Sequence, residues 1–251
     1  MTLPDPWTLA FAIGVVFIAA IIRGFSGFGF SLIAITALSF VFRPVEVIGA
    51  VFLMELAASL HLLPSVWRQI DWRSVGLLIA GTVVATPVGV YALATVDEAP
   101  MKLALAVFVL ATVTLLLSGF SLNRPPATTT TLAAGGLAGL FNGAFGIGGP
   151  PAILLFFSTP AGAVAGRASL IAYFFGCDAI GLASQLQQGL LTVDHAIKAV
   201  AFLPPLLVGI AVGSRGFRSL DPDRFRRVVL WLLAAMALAI GVIAINELRA
   251  G

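Results

Sequence analysis

Arg23, Glu55, Arg167 and Asp178 are ionisable residues that stand within or beside long apolar stretches of this chain. Charge in hydrocarbon surroundings is costly, and it commonly marks the path of an ion or a proton. Arg23 opens the run Arg23-Gly24-Phe25-Ser26-Gly27-Phe28-Gly29. Its guanidinium could clamp an oxyanion through two parallel hydrogen bonds, or it could be an arginine whose head reaches the polar boundary of its segment. Glu55, with Ser59 one turn on, and Asp178 are carboxylates that would take up a proton when desolvated, which suits them to couple a second ion to transport. Each could instead be a neutral acid making an interhelical hydrogen bond. Arg167, within Gly166-Arg167-Ala168-Ser169, either lines an entrance for an anion or marks an interface.

The glycines around Arg23 have a counterpart. A second run reads Asn142-Gly143-Ala144-Phe145-Gly146-Ile147-Gly148-Gly149-Pro150-Pro151. A shift of 119 positions places Gly24, Gly27 and Gly29 on Gly143, Gly146 and Gly148, and Arg23 on Asn142. Glycine frees the backbone to unwind, and paired interrupted helices in the two halves of a membrane chain point to a transporter's binding site. Gly27 and Gly29 would open one short helix. Gly146, Gly148 and Gly149 would open the other, with Pro150 and Pro151 in its first turn, where a missing N–H costs nothing. Two helix starts facing each other would aim free N–H groups and partial positive charge at an anion. Ser26 and Asn142 could add donors, and Phe28 and Ile147 lie between the glycines as lining residues. For Gly135, Gly139 and Gly143, a small-xxx-small stripe, close helix packing is the better account.

The elements that must hold these residues are ten apolar segments, at roughly 7–22, 27–42, 47–66, 74–95, 102–120, 130–142, 148–158, 163–188, 196–214 and 225–247. Spanning a bilayer takes about 20 helical residues, so the first two segments of each half read as short. Residues 1–120 form a first repeat, 121–129 a polar linker and 130–251 a second repeat. With a shift of 124, Ala85 and Gly89 fall on Gly209 and Gly213, Asp97 on Asp221 and Lys102 on Arg226. Asp178 has Ser59 as its mate under the smaller shift. Lys and Arg crowd Arg215 to Arg227 but are absent from Asp97 to Pro100, and Arg68 and Arg73 have no equivalent between Leu190 and His195. This flipped bias predicts inverted-topology repeats, with the arginine-rich loop cytoplasmic and both termini outside.

Composition sets the same frame. Of 251 residues, 60% are hydrophobic and only 10% charged, against roughly 25% charged in soluble domains. The expected class is therefore all-α, a polytopic integral membrane protein in a lipid bilayer. The net charge of +3 sits in loops beside apolar spans, and no basic tract interleaves with aromatics, so nucleic acid is excluded as a partner. One cysteine, Cys177, and two distant histidines, His61 and His195, make neither a disulfide nor a metal cluster. No catalytic set and no cofactor motif is present. Met1 to Gly24 lacks the basic start and the cleavage site of a signal peptide, and is expected to be the first membrane segment.

The two glycine motifs, with Arg167-Ala168-Ser169-Leu170, resemble the sulfite exporter TauE/SafE family, also called the 4-toluene sulfonate uptake permease family, over roughly 10–247. The resemblance implies a secondary transporter of the bacterial inner membrane for small anions such as sulfite or organosulfonates. Pro150 stands where many members have a third glycine. The alternatives are a passive anion channel and a non-transporting membrane scaffold. The anion, the direction, the coupling ion and the oligomeric state are not fixed by the sequence.

Overall fold

Every apolar segment forms a helix, and no strand occurs among the described residues. The structure is a computed structural model and describes residues 6–118, 126–157, 162–216 and 222–250. Its helices are α1 (Pro6–Ser26), α2 (Phe30–Leu38), α3 (Pro44–Val66), α4 (Trp72–Thr95), α5 (Glu98–Leu117), α6 (Thr128–Phe145), α7 (Gly149–Phe157), α8 (Gly162–Gln187), α9 (Val193–Gly216) and α10 (Pro222–Ala250), with one 3-10 turn at Trp67–Gln69. Among the described residues, six are long and apolar enough to cross a membrane: α1, α3 with its 3-10 turn, α4, α5, α8 and α9.

Local chemistry sets several boundaries. Pro44 opens α3 at a position that needs no N–H. Asp71 caps α4, accepting from the Ser74 N–H at 3.2 Å and the Ser74 hydroxyl at 2.6 Å. Its own N–H donates to Ser169 Oγ at 2.9 Å, which ties the start of α4 to α8.

The sequence made the first two segments of each half short. Only the second of each pair is. α1 has 21 residues and α6 has 18, while α2 and α7 have nine each, about 13 Å of helix against a hydrocarbon core of about 30 Å. The reason lies in Gly24 and Gly143, which do not break their helices. Each lets a helix backbone approach: a Cβ on Gly24 would stand 2.9 Å from Ile210 Cα, and one on Gly143 2.7 Å from the Val90 nitrogen. The helix therefore runs on through Ser26 and Phe145. The turns come at Gly27, Gly29 and Gly146, where φ is +80°, +93° and +66°, a region only glycine enters cheaply.

Small residues set the tightest contacts. α4 and α6 lie side by side and parallel, with Gly135 on Leu78, Gly139 on Thr82 and Gly143 on Thr86. The three glycines are packing residues, as their spacing indicated. α1 packs on α9 in the same way, α5 on α10, and α3 on α8. The last pair is antiparallel: Gly49 faces Gln185, and Phe52 faces Gly181. α2 folds back along α3, so its first turn meets the middle of that helix. At one end of the bundle Lys102 bridges Glu98 at 2.9 Å and Glu247 at 3.0 Å, and Arg43 bridges Glu98 at 3.0 Å. The ends of α5 and α10 that carry these residues thus share one face with the start of α3. Residues 121–125 of the linker and 217–221 of the arginine-rich loop, with the side chains of 216–230, lie outside the described residues.

Candidate anion site at the two helix breaks

Arg23 is fully buried three residues before the end of α1, and all its contacts are internal. Nη1 donates to the Gly27 carbonyl at 2.7 Å, and Nη2 donates to Ser59 Oγ at 2.9 Å. Nη2 also lies 3.0 Å from Glu55 Oε2, and the guanidinium carbon sits 4.8 Å from the Phe174 ring centroid. Glu55 completes the arrangement from α3. Its Oε1 accepts the Ser31 N–H, in the first turn of α2, at 3.2 Å. A carboxylate thus occupies the place expected for an anion, between a guanidinium and a helix start, and it is the protein's own.

Ser26 holds the break itself. Its hydroxyl lies 2.7 Å from both the Ile22 and Phe28 carbonyls and accepts the Phe28 N–H at 3.3 Å. This fixes the three-residue turn and leaves Ser26 engaged with backbone. Arg167, from the first turns of α8, lies over the same turn. Nη2 donates to the Gly24 carbonyl at 3.0 Å, and a Cβ on Gly27 would stand 2.7 Å from Arg167 Cγ.

The second break has an amide where the first has a guanidinium. Asn142, in the position of Arg23 under the 119 shift, donates from Nδ2 to the Cys177 carbonyl at 3.0 Å and also bonds the Asp178 side chain. Asn142 Oδ1 and Asp178 Oδ2 have no partner among the described residues. Gly148 is pressed between Asn142 and Cys177, since a Cβ there would lie 3.0 Å from Asn142 Cβ and from Cys177 Sγ. Gly149 faces Phe174 and Ile153. Gly146 is covered by aliphatic carbon: Ile35 Cδ1 would be 2.6 Å and Ile48 Cγ2 3.0 Å from an added Cβ. Ile147 is buried and Phe28 half-buried, both in apolar packing.

The two halves meet electrostatically at Asp178, which feels both Glu55 and Arg23. Arg23, Glu55, Arg167, Asn142 and Asp178 therefore form one cluster, in which Arg167 is half-buried and the other four are buried. Phe174, Ser31 and Cys177 belong to it and were not singled out from the sequence. Phe174 had a signal, since it lies 119 positions after Glu55. Ser31 had the weaker one of sitting in the first turn after the glycines.

The sequence profile of the sulfite exporter TauE/SafE family matches residues 12–240, nearly the whole chain. The chain belongs to that family. It is similar to a protein of Cupriavidus necator described as a probable sulfite/organosulfonate exporter TauE, at 28% identity over 230 residues, 88% of this chain and 89% of that protein. No solved structure matches the chain. A TauE/SafE protein is a transport protein, and with its apolar helices this one is a multi-pass protein of the bacterial inner membrane. The matched span takes in both helix breaks and every residue of the cluster.

Proposed function

We propose that this TauE/SafE protein is a secondary transporter of small oxyanions, sulfite or an organosulfonate, coupled to protons through Glu55 and Asp178. One observation carries this reading: a carboxylate lies between Arg23 and the first turn of α2. A site that holds Glu55 this way has the donors for a substrate anion of similar size. While Glu55 is ionised it fills its own site. Once it takes up a proton, Arg23 and the Ser31 N–H are free for a substrate, so proton and anion share one switch. Arg167 is the outer cation on the path to Gly24 and Gly27. Substrate class comes from the family and from the Cupriavidus necator relative; the coupling comes from the cluster.

The alternation of access fits two inverted repeats. Contacts between the halves recur under the offsets read from the sequence: Gly24 meets Ile210 where Gly143 meets Thr86, and Gly213 meets Ile21 where Gly89 meets Leu140. α3 and α8, mates under the repeat, run antiparallel. Together these support halves of opposite orientation that rock around the cluster. The lysine and arginine bias places the face of Arg68 and Arg73 in the cytoplasm.

Counterflow in proteoliposomes, with sulfite, thiosulfate, sulfoacetate, taurine and simple carboxylates, identifies the substrate. Glu55→Gln and Asp178→Asn are then expected to retain counterflow and lose accumulation driven by a pH gradient. Wild-type accumulation in both variants would mean that neither residue couples, and flux through the wild type with no dependence on the gradient would mark a passive anion channel.

A further inference from the structure

At the far end of the α3–α8 seam lies a second buried polar niche that the anion cluster does not use. Gln185 follows Asp178 by seven residues, two helical turns on the same face and about 10 Å along the axis. It is 1% exposed, and neither Oε1 nor Nε2 has a partner among the described residues. A buried amide without partners costs stability, so packing does not account for it. The neighbouring backbone makes room for the amide. A Cβ on Gly49 would stand 3.1 Å from Gln185 Oε1 and 2.8 Å from His195 Cδ2, so only glycine leaves both in place.

His195 is a fixed wall. Its Nδ1 accepts the Thr192 N–H at 3.0 Å, which leaves the ring proton on Nε2, 3.3 Å from the Val45 carbonyl. Just beyond Gln185, Leu186 to Gly189 are exposed, so the niche lies one residue in from the surface. Between Gln185 and Asp178 along α8 lies Gly181. The Phe52 ring, fully buried, packs on Gly181, where a Cβ would lie 2.6 Å from Cζ.

We propose that this seam is the route by which protons reach Asp178. Water enters at Gln185, whose amide orients it, and Phe52 closes the path between Gln185 and the carboxylate. A proton from bulk water passes along this chain to Asp178 and is released from it toward the opposite face, at the Arg167 end of α8. The groups that face Asp178 are Glu55 of α3, Arg23 of α1, Asn142 of α6, and Cys177 and Tyr173 of its own helix. The route rests on the proton coupling proposed above, and it can fail separately.

The test uses the full chain in proteoliposomes with an internal pH indicator and an imposed pH gradient. Phe52→Ala, and Phe52→Leu should alanine fail to fold, are expected to leak protons several-fold faster than wild type with no substrate present. Adding Asp178→Asn is expected to suppress that leak. Gln185→Leu is expected to melt no lower than wild type, since it removes two unmet polar atoms. It should nevertheless slow sulfite uptake driven by the gradient about three- to tenfold, the equivalent of one hydrogen bond, and retain sulfite counterflow, which moves no net proton. Wild-type gradient-driven uptake in Gln185→Leu overturns the proposal. So does a folded Phe52 variant that does not leak, or a leak that persists without Asp178. If wild-type uptake ignores the gradient, the coupling fails, and the Phe52 leak alone then upholds or overturns the route.

Discussion

Gly27 and Gly146 occupy matching places. Each has a left-handed backbone, each follows a long helix, and each precedes a helix of nine residues that meets the middle of the next span. Yet one turn is bordered by an ion pair, Arg23 with Glu55, and covered by Arg167. The other is bordered by an amide, Asn142, beside a single acid, and covered by Ile35 and Ile48. The backbone frame is shared and the charge is not. Glycine placement fixes where the chain may turn, which is a steric matter and recurs. The side chains that fill the space are free to diverge, so one break can hold the anion chemistry while the other serves as an apolar counterpart.

Removing the charge at the first break should have the largest effect. Arg23→Ala leaves Glu55 buried without its counter-ion, and losing one partner of such a pair costs about 3–5 kcal/mol. Unfolding in detergent should show that loss. The double variant Arg23→Met with Glu55→Leu should recover most of it, because both charges then leave together. A double variant as unstable as Arg23→Ala would show that the pair is not what the arginine supports. Arg23→Ala transport data therefore need this stability control, since the residue holds Glu55 as well as being proposed to bind the anion.

The two turns themselves come next. Gly27→Ala and Gly146→Ala should each lose roughly 1–2 kcal/mol for the left-handed conformation. Beyond that they should separate. An alanine at 27 meets the stem of Arg167, a flexible side chain that can swing aside, so its further cost is small and anion transport changes instead. An alanine at 146 meets Ile35 and Ile48, both buried in the core, so its further cost falls on stability. Thermal melting together with counterflow rates distinguishes the two. Equal losses in both assays would mean that Arg167 and the isoleucines play the same part.

Much of this frame was legible in the sequence. The ten helices follow from apolar runs, and the turn positions from glycine pairs. The halves match at offsets of 119 and 124, and contacts seen in the structure fall on those offsets. The lengths of α1 and α6 were not legible, because a glycine that permits backbone contact looks the same in sequence as one that permits a turn. Gly24 and Gly143 are the first kind, Gly27 and Gly146 the second. The partner of Arg23 was not legible either. Glu55 lies 32 positions away, and only the return of α2 along α3 brings it to the guanidinium. Ser26 looked like a ligand donor because its engagement with the Ile22 and Phe28 carbonyls depends on the turn it sits in. The only signal for Gln185 in the sequence is its spacing of seven from Asp178.

The smallest expected effect is at Asn142, and it measures how far the two breaks differ. Asn142 makes one bond to the Cys177 carbonyl and one to the Asp178 side chain, while its Oδ1 is unmatched. Asn142→Leu removes those bonds along with one buried acceptor that was costing stability. Interhelical hydrogen bonds inside membranes are worth about 0.6 kcal/mol on average and about 1.7 kcal/mol at most, so the net loss should stay below about 2 kcal/mol. Arg23→Leu, the same change at the matching position, should cost at least twice that, because a charge is stranded rather than a dipole. Denaturation midpoints of the two variants, measured in one detergent, give the ratio directly. Equal losses would mean that Asp178 depends on Asn142 as strongly as Glu55 depends on Arg23. Both breaks would then carry charge chemistry, and the second would have to be counted as part of the anion site rather than as its apolar counterpart.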